Sequence, residues 1–291
     1  IASAAYHASK QYAEERAQGR LLTNKDPNTP PTLIKNHPDV QRMLYFQKAI
    51  VEGSMGLLFQ CFMWDDLAKS LEGEEKNEAQ MMLDLMTTVA KTYPAEMGTQ
   101  AVNQGLQVLG GYGYTEDFPL EQMARDVRIM SIYEGTTGIH GLTLLGRGIP
   151  ANNGAALQTL GKLVYADIAV AKAHENLSKY AEMLEKELEN LTKVTMHKLG
   201  FAMKGEIEVF LADSTLYMEL FGLITVAWQW LKQGHVAAAA LAKGGLSAED
   251  EAFYKDKIHT MKFFYHYEVP KALGLSKRLM DEEVLTIFDH K

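Results

Sequence analysis

Apolar residues recur three and four positions apart along nearly the whole chain, and glycine and proline fall mostly between those segments. A 3.6-residue period puts such positions on one face of a helix, whereas a half-buried strand alternates by two, so the pattern predicts an all-α fold. Met81, Leu85 and Val89 share one face, Met82 and Met86 another, and Leu177, Leu184, Leu188 and Leu191 form a third stripe. All read as core, the methionines as adaptable packing and not as a cofactor box.

Helix-breaking residues divide the pattern. A first helix ends near Gly19, and Leu21 to Asn36, with Pro27, Pro30 and Pro31, reads as an irregular excursion. Pro38 and Asp39 suit the first turn of a long helix running to about Leu71, in which Gly53 and Gly56 suggest close helix contact. The acidic run Glu72 to Glu78 reads as a solvated turn and helix start. Pro94 lacks an amide donor and is expected to kink or restart the next helix, which stops at Gly110-Gly111; Pro119 starts a short one. A helix after Thr136 ends near Pro150, and Ala151-Asn152-Asn153-Gly154 is the linker candidate that divides the 291 residues into 1–150 and 151–291. In the second part, the apolar run Val209 to Leu231 contains Asp213 and Glu219 and reads as a buried core helix, not a membrane span. An aromatic-rich helix around Phe253 to Leu273 completes a second bundle.

Composition narrows the chemistry. A net charge of -8 with interspersed Lys and Arg disfavours a nucleic-acid surface, which needs a concentrated basic face. One cysteine, Cys61, excludes an internal disulfide or a Cys-rich zinc site and fits a reducing, cytoplasmic setting. The nine histidines show no zinc spacing, no serine sits in a nucleophile elbow, and Gly111-Tyr112-Gly113 follows no strand and completes no dinucleotide fingerprint. No metal is expected. The chain opens on Ile1, with no signal-type n- and h-regions, and reads as part of something longer.

Glu134 stands apart because of its neighbours. Ile132-Tyr133 precede it and are expected to bury its approach; Gly135 follows, and Thr136 is a good N-cap for the next helix. A carboxylate turned into an apolar cleft resists ionisation and becomes a useful proton acceptor near neutral pH. A helix start beyond it offers amide donors to a phosphate. Read from these residues alone, Glu134 is either such a base or a plain surface glutamate.

Ser131-Ile132-Tyr133-Glu134-Gly135-Thr136 and Gln107-Val108-Leu109-Gly110-Gly111, together with Tyr12-Ala13-Glu14-Glu15-Arg16-Ala17-Gln18-Gly19, resemble the C-terminal helical domain of the FAD-dependent acyl-CoA dehydrogenases. The family's phenylalanine between Gln18 and Gly19 is missing, and Gly138 and His140 stand where glutamines are common in short- and medium-chain members. Glu134-Gly135-Thr136 with Leu144-Leu145-Gly146-Arg147 is similar to a bacterial subgroup with an extra C-terminal helical domain, the 3-methylmercaptopropionyl-CoA dehydrogenase-like enzymes, and Leu220-Phe221-Gly222-Leu223 and Phe263-Phe264-Tyr265 resemble segments of that extension. The resemblance implies an acyl-CoA dehydrogenase C-terminal helical bundle over 1–150 followed by a second helical-bundle extension over 151–291, the last two domains of a longer enzyme.

It further implies α,β-dehydrogenation of an acyl-CoA thioester to trans-2-enoyl-CoA, with Glu134 as base and Glu134 and Gly135 meeting the substrate. Arg16, Gln18, Gln107, Gly110 and Gly111 would contact the FAD of the neighbouring subunit, Thr136 and Thr137 would lie near the FAD diphosphate and adenosine, and Arg125 and Asp126 would orient the catalytic loop. Implied partners are an acyl-CoA substrate, an electron-transfer flavoprotein, and a homodimer or homotetramer; nucleic acid and membrane are not expected. The alternatives are an acyl-CoA oxidase-like flavoprotein and a non-catalytic helical oligomerisation or interaction module.

Overall fold

In a computed structural model that describes residues 1–24 and 26–287, each punctuation signal becomes a helix boundary or a turn, with the exception of Pro94. The described residues contain no strand; a single bridge pairs Ala17 with Leu33. Lys25 of the excursion and residues 288–291 of the second segment lie outside the described residues. Helix α1 spans Ala2–Glu15, α2 Pro38–Ser70, α3 Gly73–Leu109, α4 Leu120–Arg128 and α5 Thr137–Thr143. After a π-turn at Leu144–Gly148 come α6 (Ala155–Lys172), α7 (Glu175–Met203), α8 (Ile207–Leu211), α9 (Ser214–Lys243), α10 (Ala248–Tyr267) and α11 (Lys271–Leu279). The turn at Ala151–Gly154 holds Asn152, Asn153 and Gly154 at φ of 50°, 56° and 77°, backbone that asparagine and glycine adopt more readily than other residues.

Three expectations are corrected. Pro94 does not restart a helix: α3 runs from Gly73 to Leu109 with Pro94 inside it. The run Val209 to Leu231 is not one helix, because the chain breaks between α8 and α9 at Asp213. This buried carboxylate accepts from Arg278 at 3.2 Å and lies 3.9 Å from the fully buried Lys198 ammonium. A buried charge is costly unless paired, and the break lets Asp213 meet both cations. The aromatic helix likewise ends at Tyr267, with Pro270 capping α11.

The helices form two compact units. The first comprises Ile1–Glu52 and Pro94–Tyr133, the second Gly53–Tyr93 and Glu134–Lys291. In the first, Ala5, Ala13, Met43, Val102, Leu120 and Val127 make the core. A buried bond from Ser9 Oγ to Gln47 Oε1 (3.0 Å) ties α1 to α2, and Gly105 lets α3 approach: a Cβ there would lie 2.7 Å from Leu120. In the second unit α9 is the central helix. Tyr217, Phe221, Trp228, Trp230 and Leu231 are all within 2% of complete burial, and each such aliphatic or aromatic side chain contributes about 1.5–3 kcal/mol. The buried leucines of α7, Leu177, Leu184, Leu188 and Leu191, supply the stripe read from the sequence. Three polar tips inside this core find partners: Tyr217 with Thr195 (2.7 Å), Tyr265 to the Ala227 carbonyl (2.9 Å) and Trp228 Nε1 to Asp167 (2.6 Å). A Cβ on Gly53 would sit 2.6 Å from both Val226 and Trp230, so the expected close helix contact is present. The stretch Ile207–Lys243 is long and apolar enough to cross a membrane by composition, but two-thirds of its most apolar window is buried against protein, as a core helix is.

Candidate functional site

The candidate residues fall in two places, one in each unit, and each is built by a different local device.

In the first unit, the excursion after α1 returns and is stitched to its own start. Gln18 N–H donates to Thr32 O (2.9 Å), Thr32 N–H to Gly19 O (2.9 Å) and Ile34 N–H to Arg16 O (2.8 Å). His37 Nε2 caps the Gln18 carbonyl at 2.7 Å. This lays Arg16 and Gln18 along a cleft of about 330 Å³ whose other side is Gln107 and Gly110 at the end of α3, with Ile34 and Val40 among its apolar lining. Arg16 holds its guanidinium 5.8 Å from the centre of the Tyr112 ring. Gly110 is left-handed at φ 61°, which ends the helix. Gly111 has neither positive φ nor any atom within 4 Å of the place a Cβ would occupy. The chain's own packing does not require glycine at 111, and its neighbour Gly110 lines the cleft with a cationic fork and two amide side chains. That donor set fits a diphosphate-bearing group. The structure thus brings Arg16, Gln18, Gln107 and Gly110 together.

In the second unit lies the loop of Glu134. This residue adopts φ 54° and Gly135 follows at φ 91°. Left-handed backbone costs a non-glycine residue about 1–2 kcal/mol. Two side chains hold the pair: His140 Nε2 donates to Glu134 O at 3.1 Å and Lys91 Nζ donates to Gly135 O at 2.6 Å. A neutral bond contributes about 0.5–1.5 kcal/mol net and one to a charged group about 1.5–3, enough to offset the strain. Gly135 is also sterically required, because a Cβ would lie 2.8 Å from His140 Nε2. Thr136 caps α5 by accepting from Ile139 N–H at 3.4 Å, as its residue type implies, and Thr137 is the first helical residue. Helix α5 is seated on α9 through Gly141, where a Cβ would be 2.8 Å from the Ser214 carbonyl oxygen.

The expected burial of the base is not found. Ile132 and Tyr133 are each 48% exposed and Glu134 is exposed, so the flanking residues do not wall off a cleft. Arg125 pairs with Glu121 at 3.0 Å and Gln122 donates to Asp126 at 3.4 Å, so the bonds of this pair lie along their own helix. Sequence reasoning missed His37 and Lys91. His37 had one available signal, its place just before the proline that opens α2; Lys91 had none, being one lysine in a helical pattern. A larger open hollow of about 810 Å³, lined by His174, Asn176 and Leu241 among others, contains none of the candidate residues. Among the described residues no three His, Cys, Asp or Glu side chains cluster as metal ligands would. Cys61 is buried, and burial pushes its thiol up to about 11, away from nucleophile chemistry.

Two family models match successive stretches of the chain. The family described as "Acyl-CoA dehydrogenase, C-terminal domain" matches residues 34–149, and "Acetyl-CoA dehydrogenase C-terminal like" matches residues 160–287. The chain is 30% identical over 270 residues to the broad-specificity linear acyl-CoA dehydrogenase FadE5 of Mycobacterium tuberculosis, covering 90% of this chain and 44% of that protein. It is 30% identical over 282 residues to 3-methylmercaptopropionyl-CoA dehydrogenase of Ruegeria pomeroyi, covering 97% of this chain and 47% of that protein. It therefore spans less than half the length of these relatives. An acyl-CoA dehydrogenase from Bacillus anthracis, solved in complex with FAD, shares the fold with a TM-score of 0.62 at 18% identity, covering 98% of this chain and 50% of that one.

Proposed function

The chain belongs to the acyl-CoA dehydrogenase family, whose two C-terminal domains it carries, and on that premise we propose that the whole protein is an FAD-dependent dehydrogenase with Glu134 as its base. Its reaction is conversion of an acyl-CoA thioester to the trans-2-enoyl-CoA. The observation that carries the assignment is the left-handed Glu134. The only other non-glycine residues with positive φ among those described are two asparagines, which tolerate that backbone, so a glutamate held there by two side chains is a strained residue of the kind found at functional sites.

The cleft of the first unit is the cofactor half of this reading. For the FAD of a neighbouring subunit, Arg16 supplies charge and fork geometry for the diphosphate, Gln18 and Gln107 supply donors, and Gly110 and Gly111 offer backbone amides; separately, the start of α5 offers Thr136 and Thr137 to an FAD diphosphate. FAD, when bound, supplies the acceptor for the hydride that leaves the β-carbon. Glu134 does the proton work: its carboxylate takes the α-proton as the C–H electron pair becomes the new C=C bond, and its backbone N–H polarises the thioester carbonyl. FAD in the B. anthracis complex and the acyl-CoA names of the relatives support this reading. The same reading gives an electron-transfer flavoprotein as acceptor, a homodimer or homotetramer as assembly and the cytoplasm as compartment. Residues 1–150 hold cofactor contacts and base, while 151–291 serve packing and assembly.

Stopped-flow bleaching of the flavin by acyl-CoA in the whole protein tests the assignment. Glu134→Gln keeps shape and flavin content but loses the proton acceptor, so bleaching slows by about 10²–10⁴-fold. Near-normal bleaching would place the base elsewhere, and rapid reoxidation by oxygen instead of a flavoprotein acceptor would make the protein an oxidase.

A further inference from the structure

Two consecutive carbonyls, those of Glu134 and Gly135, are each taken by a side chain from a different helix of the second unit: His140 on α5 and Lys91 on α3. The geometry points to a role for this pair: His140 and Lys91 are positioning residues that hold the base loop in its left-handed turn. The inference rests on the assignment of Glu134 as base and adds to it the groups that aim the base.

The argument is geometric. A residue's φ and ψ fix the direction of its Cα–Cβ bond and of its amide N–H, the two parts of Glu134 that would meet the substrate. With φ at 54° and 91°, residues 134 and 135 occupy a conformation that Glu134 would leave if unrestrained. His140 restrains it in two ways: its Nε2 bonds the Glu134 carbonyl, and its ring lies so close to Gly135 that a Cβ there would come within 2.8 Å of Nε2. A carbonyl only accepts, so the ring nitrogen facing it carries the hydrogen; the other, Nδ1, is buried and has no hydrogen-bond partner. Apart from its packing, the polar contact this imidazole makes is to the base loop. Lys91 brings a charge-assisted bond at 2.6 Å to the next carbonyl. His140 is itself well supported, since Gly141 seats α5 against the backbone of α9.

The test is made on the whole protein with FAD bound. His140→Leu and Lys91→Met remove the donors, and His140→Gln and Lys91→Arg restore an N–H of similar reach. Flavin content and KM should stay near the parent while kcat falls by about 10–100-fold in the first two, the cost of a base displaced on the order of an ångström, and largely recovers in the second two. The inference is overturned if His140→Leu and Lys91→Met retain kcat within about twofold, or if the Gln and Arg variants are as impaired as the variants they should rescue. Should His140→Leu fail to fold, Lys91→Met with its Arg rescue decides alone. Glu134→Gln measured beside them separates the two claims. An active Glu134→Gln sinks the base assignment; an inactive one with normal clamp variants sinks only the clamp.

Discussion

Gly141 and Gly138 lie three residues apart in the same short helix, and the structure gives them opposite responses to the same substitution. Adding a methyl group at Gly138 meets only Thr136 Oγ1 at 3.9 Å, ordinary contact distance. Alanine there relieves the entropic cost of glycine in a helix and should stabilise by about 0.5–1 kcal/mol. At Gly141 the methyl would lie 2.8 Å from Ser214 O, 2.9 Å from Ser214 C and 3.1 Å from Thr215 N. Those are backbone atoms at the start of α9, which cannot rotate aside as a side-chain tip would. Overpacking costs about 1–3 kcal/mol, and rigid neighbours favour the upper half of that range. Subtracting a propensity gain of about 1 kcal/mol leaves a loss of about 1–2, so the two variants should differ by about 1.5–3 kcal/mol. Guanidinium unfolding followed by circular dichroism reads this difference as a change in midpoint at constant m-value, and thermal unfolding as a separation of several degrees. If Gly141→Ala is as stable as Gly138→Ala, α5 is not seated on α9 as described, and the reasoning that runs from that seat to the base loop fails with it.

Arg16→Met should weaken FAD binding in the whole protein by about 10–100-fold, the worth of one charge-assisted contact, with protein stability unchanged; an unaltered flavin titration would remove Arg16 from the cofactor site. Cys61 should react slowly with thiol reagents at pH 8 until the chain is denatured, because burial keeps it protonated. Its folded value of about 11 is raised above its ordinary one of 9.0, so its contribution to stability is complete below about pH 9 and is lost as pH rises through about 11. Cys61→Ala should flatten that alkaline decline, and an unchanged slope would refute the assignment. Glu134→Gly should raise stability by up to about 1.5 kcal/mol, relief of about 1–2 from left-handed strain less about 0.5–1 of added unfolded-chain entropy, while abolishing turnover. A destabilised Glu134→Gly would mean that the glutamate is not strained.

Local signals in the sequence were legible because their causes are local. Pro38 opens α2 since a first-turn residue needs no amide donor, and Gly110 ends α3 since it takes the left-handed form. What escaped has distant causes. The break at Asp213 depends on Arg278, sixty-five positions away, and on Lys198; from sequence, Asp213 argued only against a membrane span. Pro94 looked like a break, yet nothing local to it records that the residues on either side continue one helix.

The site divides along the same line, with a further asymmetry. Arg16, Gln18, Gln107 and Glu134 are exposed, and folding places little demand on exposed polar residues, so hydrophobic periodicity cannot find them. Resemblance found them as motifs; it did not supply the backbone. That Glu134 itself, and not only its glycine neighbour, is left-handed is a tertiary fact, produced by a lysine forty-four positions before Gly135 and a histidine six positions after Glu134. On stability alone, glycine or asparagine suits position 134 better than glutamate. A chain that keeps the costlier residue there, and spends two side chains holding its carbonyls, behaves as one whose loop is shaped by a task other than folding.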